Sequence, residues 1–321
     1  MKKFFALILA LVMSLSLVAC GGGDGDGSSA KLRFVTGGES GTYYAFGSAI
    51  AQHATNNAGI NVVGLVGNGS QANIEELQAG NADLAFCQSD VMAYAYEGTN
   101  IFDAKVDCFS TVAALYTEQV QIVTVNPSIK TVADLKGKNV SIGAAGSGVF
   151  FNAVDILGAY GLDVEKDINP TYQSFGDSAD ALKDGKIDAA FIVAGAPTTA
   201  ITDLATTKAV SLVSLDDEHI DKLLASSPYY TKCTIPADVY GLDADTTTVG
   251  VGAVILARDD VSEDAIYALC ADIFDNAADL VSSHAKYGEL SLEYAASITS
   301  VPYHAGAVKY FAEHNMTVAG K

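Results

Sequence analysis

Apolar residues fall along this chain in two alternating patterns. Short continuous runs at 32–35, 62–66, 112–115 and 249–257 have the length and β-branched content of buried strands. Between them the apolar spacing changes to that of a helix face: Tyr43, Phe46 and Ile50; Ile74 and Leu77; then Phe150, Ala153, Val154 and Leu157. Strand and helix patterns alternate over most of the length, and helical patterns dominate after 257. This order predicts an α/β architecture, with parallel strands covered by helices on both faces.

The junctions between strand and helix carry the most information. Residues 32–35 lead through Thr36-Gly-Gly-Glu-Ser-Gly-Thr42 into the helix with Tyr43 on it. A second unit follows the same plan, with Val140-Ser-Ile142 leading through a glycine-rich turn to Ser147 and Gly148. Further on, 77–86 and 182–191 share Leu, Gly, Asp, Ala and Phe at matching places, each reading as a helix end, a glycine cap and a buried strand. Two similar α/β lobes are therefore expected. In such sheets ligands sit beyond the carboxyl ends of the strands, here the turns 36–42, 67–70, 88–90, 145–148 and 195–197. Facing rims of this kind form a cleft that closes on its ligand. The run 112–125 and the run 249–257 read as the two crossings between lobes, with hinges near 117–121 and 249–253.

The first residues stand apart. Lys2 and Lys3 precede an apolar stretch too short to span a bilayer, which ends at Leu17-Val-Ala-Cys20. This resembles the lipobox of bacterial lipoprotein signals, with Cys20 as the lipidated residue; the alternative is an ordinary cleaved signal. Residues 1–19 are read as signal peptide and 20–30, rich in Gly, Ser and Asp, as a flexible tether. The mature protein is then extracytoplasmic and anchored by lipid to the outer face of the membrane. The formal charge of -20 argues against nucleic acid as a partner, since nothing here neutralises phosphates. Cys87, Cys108, Cys233 and Cys270 lack metal-site spacing. Disulfides are permitted in that compartment in any of three pairings, but the apolar setting of Cys87 and Cys270 favours free thiols.

No metal, cofactor or catalytic residue is expected. G-x-S-x-G and Walker A patterns are absent, and no nucleophile–base pair is marked locally, so a secreted hydrolase has no support. Gly67-Asn-Gly-Ser-Gln-Ala72 imitates a dinucleotide fingerprint, but Ser70 reads better as the N-cap of the following helix. Arg33 and Arg258 are the only arginines, and both lie in expected strands away from the turns. An anionic ligand would thus depend on helix starts and neutral donors rather than a guanidinium clamp. A helix start contributes roughly 0.3–1 kcal/mol, up to ~2 when partly buried. A hydrogen bond to a charged group gives about 1.5–3 kcal/mol, and micromolar affinity needs about 8 kcal/mol net. Helix starts alone fall short, so further donors are required. The candidates are Ser40, Gly41, Thr42 and Tyr43 on one side, with Ser147, Gly148 and Val149 opposite. Ser70, Gln88 and Ser89, then Tyr116 and Glu118 at the crossing, then Gly195, Ala196 and Pro197, complete the set. Each has a plainer alternative: capping for Ser40–Thr42 and Ser147, core packing for Tyr43, an N-cap role for Asp90, a solvated carboxylate for Glu118, a helix entry for Pro197. Glu118 is placed to meet an ammonium group.

These motifs together resemble the TAXI family of solute-binding receptors, which serve tripartite ATP-independent periplasmic (TRAP) transporters. Thr36-Gly-Gly, Gly41-Thr-Tyr-Tyr, Gly69-Ser70, Asn73, Gln88-Ser-Asp90, Gly146-Ser-Gly148, Gly185-Lys-Ile-Asp188 and Pro302-Tyr-His304-Ala-Gly-Ala-Val-Lys-Tyr310 carry the resemblance across the mature chain. Ala305 departs from the Pro often found there, and Glu39 stands where a smaller residue is common. The resemblance implies a type II periplasmic-binding-protein fold, and the positions of the crossing strands place lobe I at 31–119 plus 250–321 and lobe II at 120–249. It implies a non-catalytic, monomeric receptor that delivers glutamate, glutamine or a 2-oxoglutarate-like acid to a sodium-driven TRAP permease subunit. A binding protein feeding a membrane signalling partner is the alternative. His304 is read as structural.

Overall fold

The computed structural model describes residues 31–321; the readings for the signal, Cys20 and the tether lie outside them. Ten strands form one mixed sheet, and its main path runs β2 (Asn61–Leu65), β1 (Lys31–Val35), β3 (Leu84–Gln88), β10 (Thr246–Arg258), β4 (Phe109–Thr124), β7 (Ala189–Ala194), β5 (Asn139–Ser141) and β6 (Asn169–Thr171). The remaining strands, β8 (Ser211–Leu212) and β9 (Thr231–Ile235), pair with β4 and β10. Strands β2-β1-β3 are parallel, as are β7-β5-β6, while β4 and β10 run antiparallel between the two sets. The result is two α/β lobes joined by two crossing strands.

The crossing strands differ from expectation in one respect. The pattern at 112–125 suggested one strand leading into another, but β4 is continuous over 16 residues. Every residue from Phe109 to Tyr116 is buried, because helices cover both faces. Its first part pairs with β10 from Ala253 to Arg258, and its second part pairs with β7. Register shifts beside Val254 and Ile255 bend the ladder near the junction.

Helices α1 (Thr42–Asn57), α2 (Ser70–Gln78) and α3 (Ser89–Glu97) belong to the first lobe. Helices α4 (Val149–Ala159), α5 (Phe175–Lys183), α6 (Thr199–Ala205) and α7 (Asp217–Ser226) belong to the second. Then α8 (Glu263–Asp275), α9 (Ala277–Leu280), α10 (Leu292–Ala295) and α11 (Ala305–Glu313) return to the first, where Ile266, Leu269, Tyr310 and Phe311 join the core around Phe34, Phe46 and Phe86. His304 caps α11 by accepting from the Gly306 amide. Cys87 and Cys270 are buried, and all four cysteines from 31 onward are free thiols.

The internal echo has a bonding basis. Asp83 and Asp188 each open a buried strand, and each binds the strand beside it at both ends of its own residue. The Asp83 amide donates to Arg33 O (2.9 Å) while its carboxylate accepts from the Arg33 amide (2.8 Å). The Asp188 amide donates to Asn139 O (2.8 Å) and its carboxylate accepts from the Asn139 amide (3.0 Å). The first copy adds charge: the Arg33 guanidinium grips Asp83 with two bonds of 2.9 and 2.8 Å, and Arg258 lies 3.2 Å away. This holds Asp83 below the usual carboxylate range. Asp83→Ala leaves the Arg33 guanidinium and a backbone donor without their acceptor, while Arg258 keeps Asp260, so it should destabilise by about 1.5–3 kcal/mol, whereas Asp188→Ala should cost about 1 kcal/mol. Urea unfolding of both variants measures the difference; equal losses would contradict this account.

Candidate functional site

Three helix starts meet where the lobes face each other. They are the N-termini of α1, α2 and α4, whose N-cap positions are Gly41, Gly69 and Gly148. None of the three has a side-chain cap, while Ser174, Asp216, Ser262, Ser291 and His304 cap α5, α7, α8, α10 and α11. Uncapped amides pointing at one space leave it electropositive at those edges. Backbone bonds cross directly between lobes here: Ala72 N to Gly146 O (3.0 Å) and Ala200 N to Ser40 O (3.2 Å).

The glycines are needed for this approach. A Cβ on Gly69, which has φ 107°, would lie 2.9 Å from Ser147 Cα. A Cβ on Gly148 would overlap the Gln88 side chain. The two glycine-rich turns noticed as a repeat in sequence thus touch across the cleft.

Between them lies a cavity of about 300 Å³. It brings together Ser40, Gly41, Thr42, Tyr43, Ser70, Gln88, Glu118, Ser147, Gly148 and Val149. The other expected residues are elsewhere. Ser89 Oγ accepts from Gly252 N (2.9 Å), which ties it to β10. Tyr116 packs into the core beside Phe46, and Gly195 O accepts from Thr42 Oγ1 (2.9 Å). Ala196 O accepts from Lys286 Nζ (3.2 Å), and Pro197 is exposed.

Two capping expectations also change. Gly69, not Ser70, is the N-cap of α2; the Ser70 hydroxyl accepts from Gln88 N (3.0 Å) instead. Asp90 is a first-turn residue of α3 rather than its cap, and its Oδ1 accepts from Val91 N (2.9 Å). The walls include Ser174 and Phe175, which sequence reasoning did not single out. They follow β6, a strand of three residues containing Pro170, too short to register as a strand in the apolar pattern.

Electrostatically the cavity is unusual. Its charged lining residues are Glu39 and Glu118, with no Lys, Arg or His among them. Glu118 is buried, and Tyr43 donates to its Oε2 at 2.7 Å. Burial raises the Glu118 pKa to about 8, against the opposing pull of the Tyr43 hydroxyl. Lys286 lies behind the wall, with its ammonium 5.2 Å from the Tyr116 ring centroid and bonded to Glu289 (2.5 Å). Two polar atoms of the lining have no partner, Gln88 Oε1 and Ser147 Oγ. The Ser147 hydroxyl therefore has no histidine against it.

Because burial lifts Glu118, its contribution to stability is fullest below its unfolded value near 4.5 and is lost as pH rises through about 8. Glu118→Gln keeps an acceptor for Tyr43 without the titration. The melting temperature of the variant should gain on that of the wild type by several degrees from pH 5 to pH 9; parallel curves would refute the buried-carboxyl account.

The chain is similar to several solved structures. A protein of Bordetella bronchiseptica RB50 matches at 18% identity with a TM-score of 0.52, covering 88% of this chain and 89% of that one. PhnD1 from Prochlorococcus marinus (MIT 9301), solved with methylphosphonate, matches at 10% identity with a TM-score of 0.50, covering 76% and 84%. The periplasmic aliphatic sulphonate binding protein SsuA from Escherichia coli gives 17% identity, a TM-score of 0.47, and 88% and 90% coverage. At such identities the likeness to the first two shows a shared α/β fold alone. The NMT1-like family model matches residues 34–314, nearly all of the described chain, and the protein belongs to the NMT1-like family.

Proposed function

We propose that the protein is an extracytoplasmic solute-binding receptor that captures a small amino acid in the interlobe cleft and delivers it to a membrane transporter. The observation that carries this reading is the cavity itself, lined both by uncapped helix starts from the two lobes and by Glu118. A ligand carboxylate suits the amides of α1 and α4. An ammonium suits Glu118 and the unpartnered Gln88 Oε1. The acidic lining favours glutamate or glutamine over 2-oxoglutarate, which offers no cation to Glu118. The finer assignment, a TAXI-type receptor anchored through Cys20 and serving a TRAP permease, rests on the motifs in the sequence. So does the division at 31–119 plus 250–321 and 120–249, which agrees with the points where β4 and β10 change partners.

Isothermal titration with glutamate, glutamine and 2-oxoglutarate tests this. Micromolar or tighter binding of an amino acid is expected, and silence across a broad metabolite panel would reject the receptor reading. Ser147→Ala should weaken binding about ten- to a hundred-fold, the worth of one hydrogen bond to a charged group. Thr42→Ala should have a similar effect by a different route, since its hydroxyl closes on Gly195 O. Glu118→Gln should weaken amino acids at least ten-fold more than 2-oxoglutarate; equal losses would remove the ammonium contact.

A further inference from the structure

On the flank of the cleft, outside the cavity, a second set of polar groups crosses between lobes. Asp90 on α3 is fully buried, and its Oδ2 accepts from Asn152 Nδ2 on α4 at 3.0 Å. The same amide donates to Tyr230 OH (2.9 Å), which in turn donates to Asp155 Oδ2 (2.9 Å). An apolar collar surrounds this chain of bonds. Phe151 of the second lobe lies among Val91, Met92 and Ala95 of the first, 5.9 Å from the Tyr94 ring, and Tyr229 meets Tyr94 edge-on at 5.7 Å.

We propose that Asp90, Asn152, Tyr230 and Asp155 form a proton-sensitive latch on lobe closure, which holds the lobes together while Asp90 is protonated and loosens when it ionises. The geometry gives the reason. Asp90 is buried where Asn152 of the second lobe reaches it, so parting the lobes there would return solvent to it. Every titratable group facing it is neutral or acidic: Cys87 beneath it on β3, Tyr94 on its own helix, Glu118 on β4, Asp155 on α4, and Tyr229 and Tyr230 before β9. No cation is among these groups to compensate an ionised Asp90. Asn152 Oδ1 has no partner and is buried, so a half-turn of that amide supplies an acceptor for a protonated Asp90, with the Tyr230 hydroxyl then donating to Asn152 instead of Asp155. The network thus accommodates both forms, but the charged one at a desolvation cost.

The sign follows from linkage. Burial raises the Asp90 pKa to about 7 in the closed form. In an open form, with solvent restored, it returns toward the ordinary range. Closure therefore takes up a proton; it is favoured at low pH and weakened as pH rises through 7, by about ten-fold from pH 6 to pH 8.

The test needs no ligand, so its failure is separate from failure of the receptor reading. Phe151→Cys places a thiol in the interlobe collar. Its iodoacetamide labelling, read by peptide mass spectrometry and normalised to thiolate content with a short cysteine peptide, reports the opening constant even when opening is rare. The measurement is made with Glu118→Gln present, so that the buried carboxyl at the lobe crossing does not contribute. The opening constant should rise about ten-fold from pH 6 to pH 8, and less than two-fold when Asp90→Asn is added. Equal pH dependence with and without Asp90→Asn, or none in either, overturns the proposal. Asn152→Ala in place of Asp90→Asn should raise opening at pH 6 to at least the pH 8 level of the parent. An unchanged constant there also overturns it.

Discussion

Both lobes hang on the antiparallel ladder between β4 and β10. Each strand spends its length in two environments, one part paired within the first lobe and the other within the second. Small residues at the junction keep the strands close: a Cβ on Gly250 would lie 2.5 Å from Thr117 Cγ2 and 2.7 Å from Glu118 O. That tightness positions Glu118 at the floor of the cleft. It also means that lobe motion has to pass through a few backbone dihedrals beside a buried carboxyl.

Charge is distributed to match. The two arginines are consumed at the far end of the first lobe, gripping Asp83 and Asp260. The cleft is left with backbone amides as its positive groups and buried acids as its negative ones. Amides at helix starts are fixed partial charges that need no counter-ion and do not titrate. Glu118 and Asp90 do titrate, and burial lifts both into the neutral range. The chain therefore combines a non-titrating anion cradle with carboxyls sensitive to pH.

How much of the site was legible depended on whether its residues lay in local patterns. Gly41, Ser147 and Gly148 stood out because a strand–turn–helix unit has a recognisable apolar rhythm. Gln88 was found because it ends a buried strand. Phe175 was not, since β6 is too short to carry any rhythm. Lys286 sits in a short 3-10 helix, Ala285–Glu289, with no periodicity of its own, and only tertiary packing carries it to Ala196. Ser70 and Asp90 were assigned as caps because Ser and Asp are good caps. In the fold Gly69 takes the cap position of α2, and a partner distant in sequence claims each side chain: the Gln88 amide for Ser70, and Asn152 for Asp90.

By itself the sequence determined the α/β class, the two related halves and the turns that would carry a ligand, because all three follow from local periodicity and from glycine at strand ends. It also set the acidity and the scarcity of arginine that exclude a guanidinium clamp. The tertiary structure decided which of those turns meet, that Thr42 closes on Gly195 instead of facing the cavity alone, and that Asp90 and Asn152 share a buried bond. These are contacts between residues far apart in the chain, set by lobe packing and strand register, and no window of sequence contains both partners.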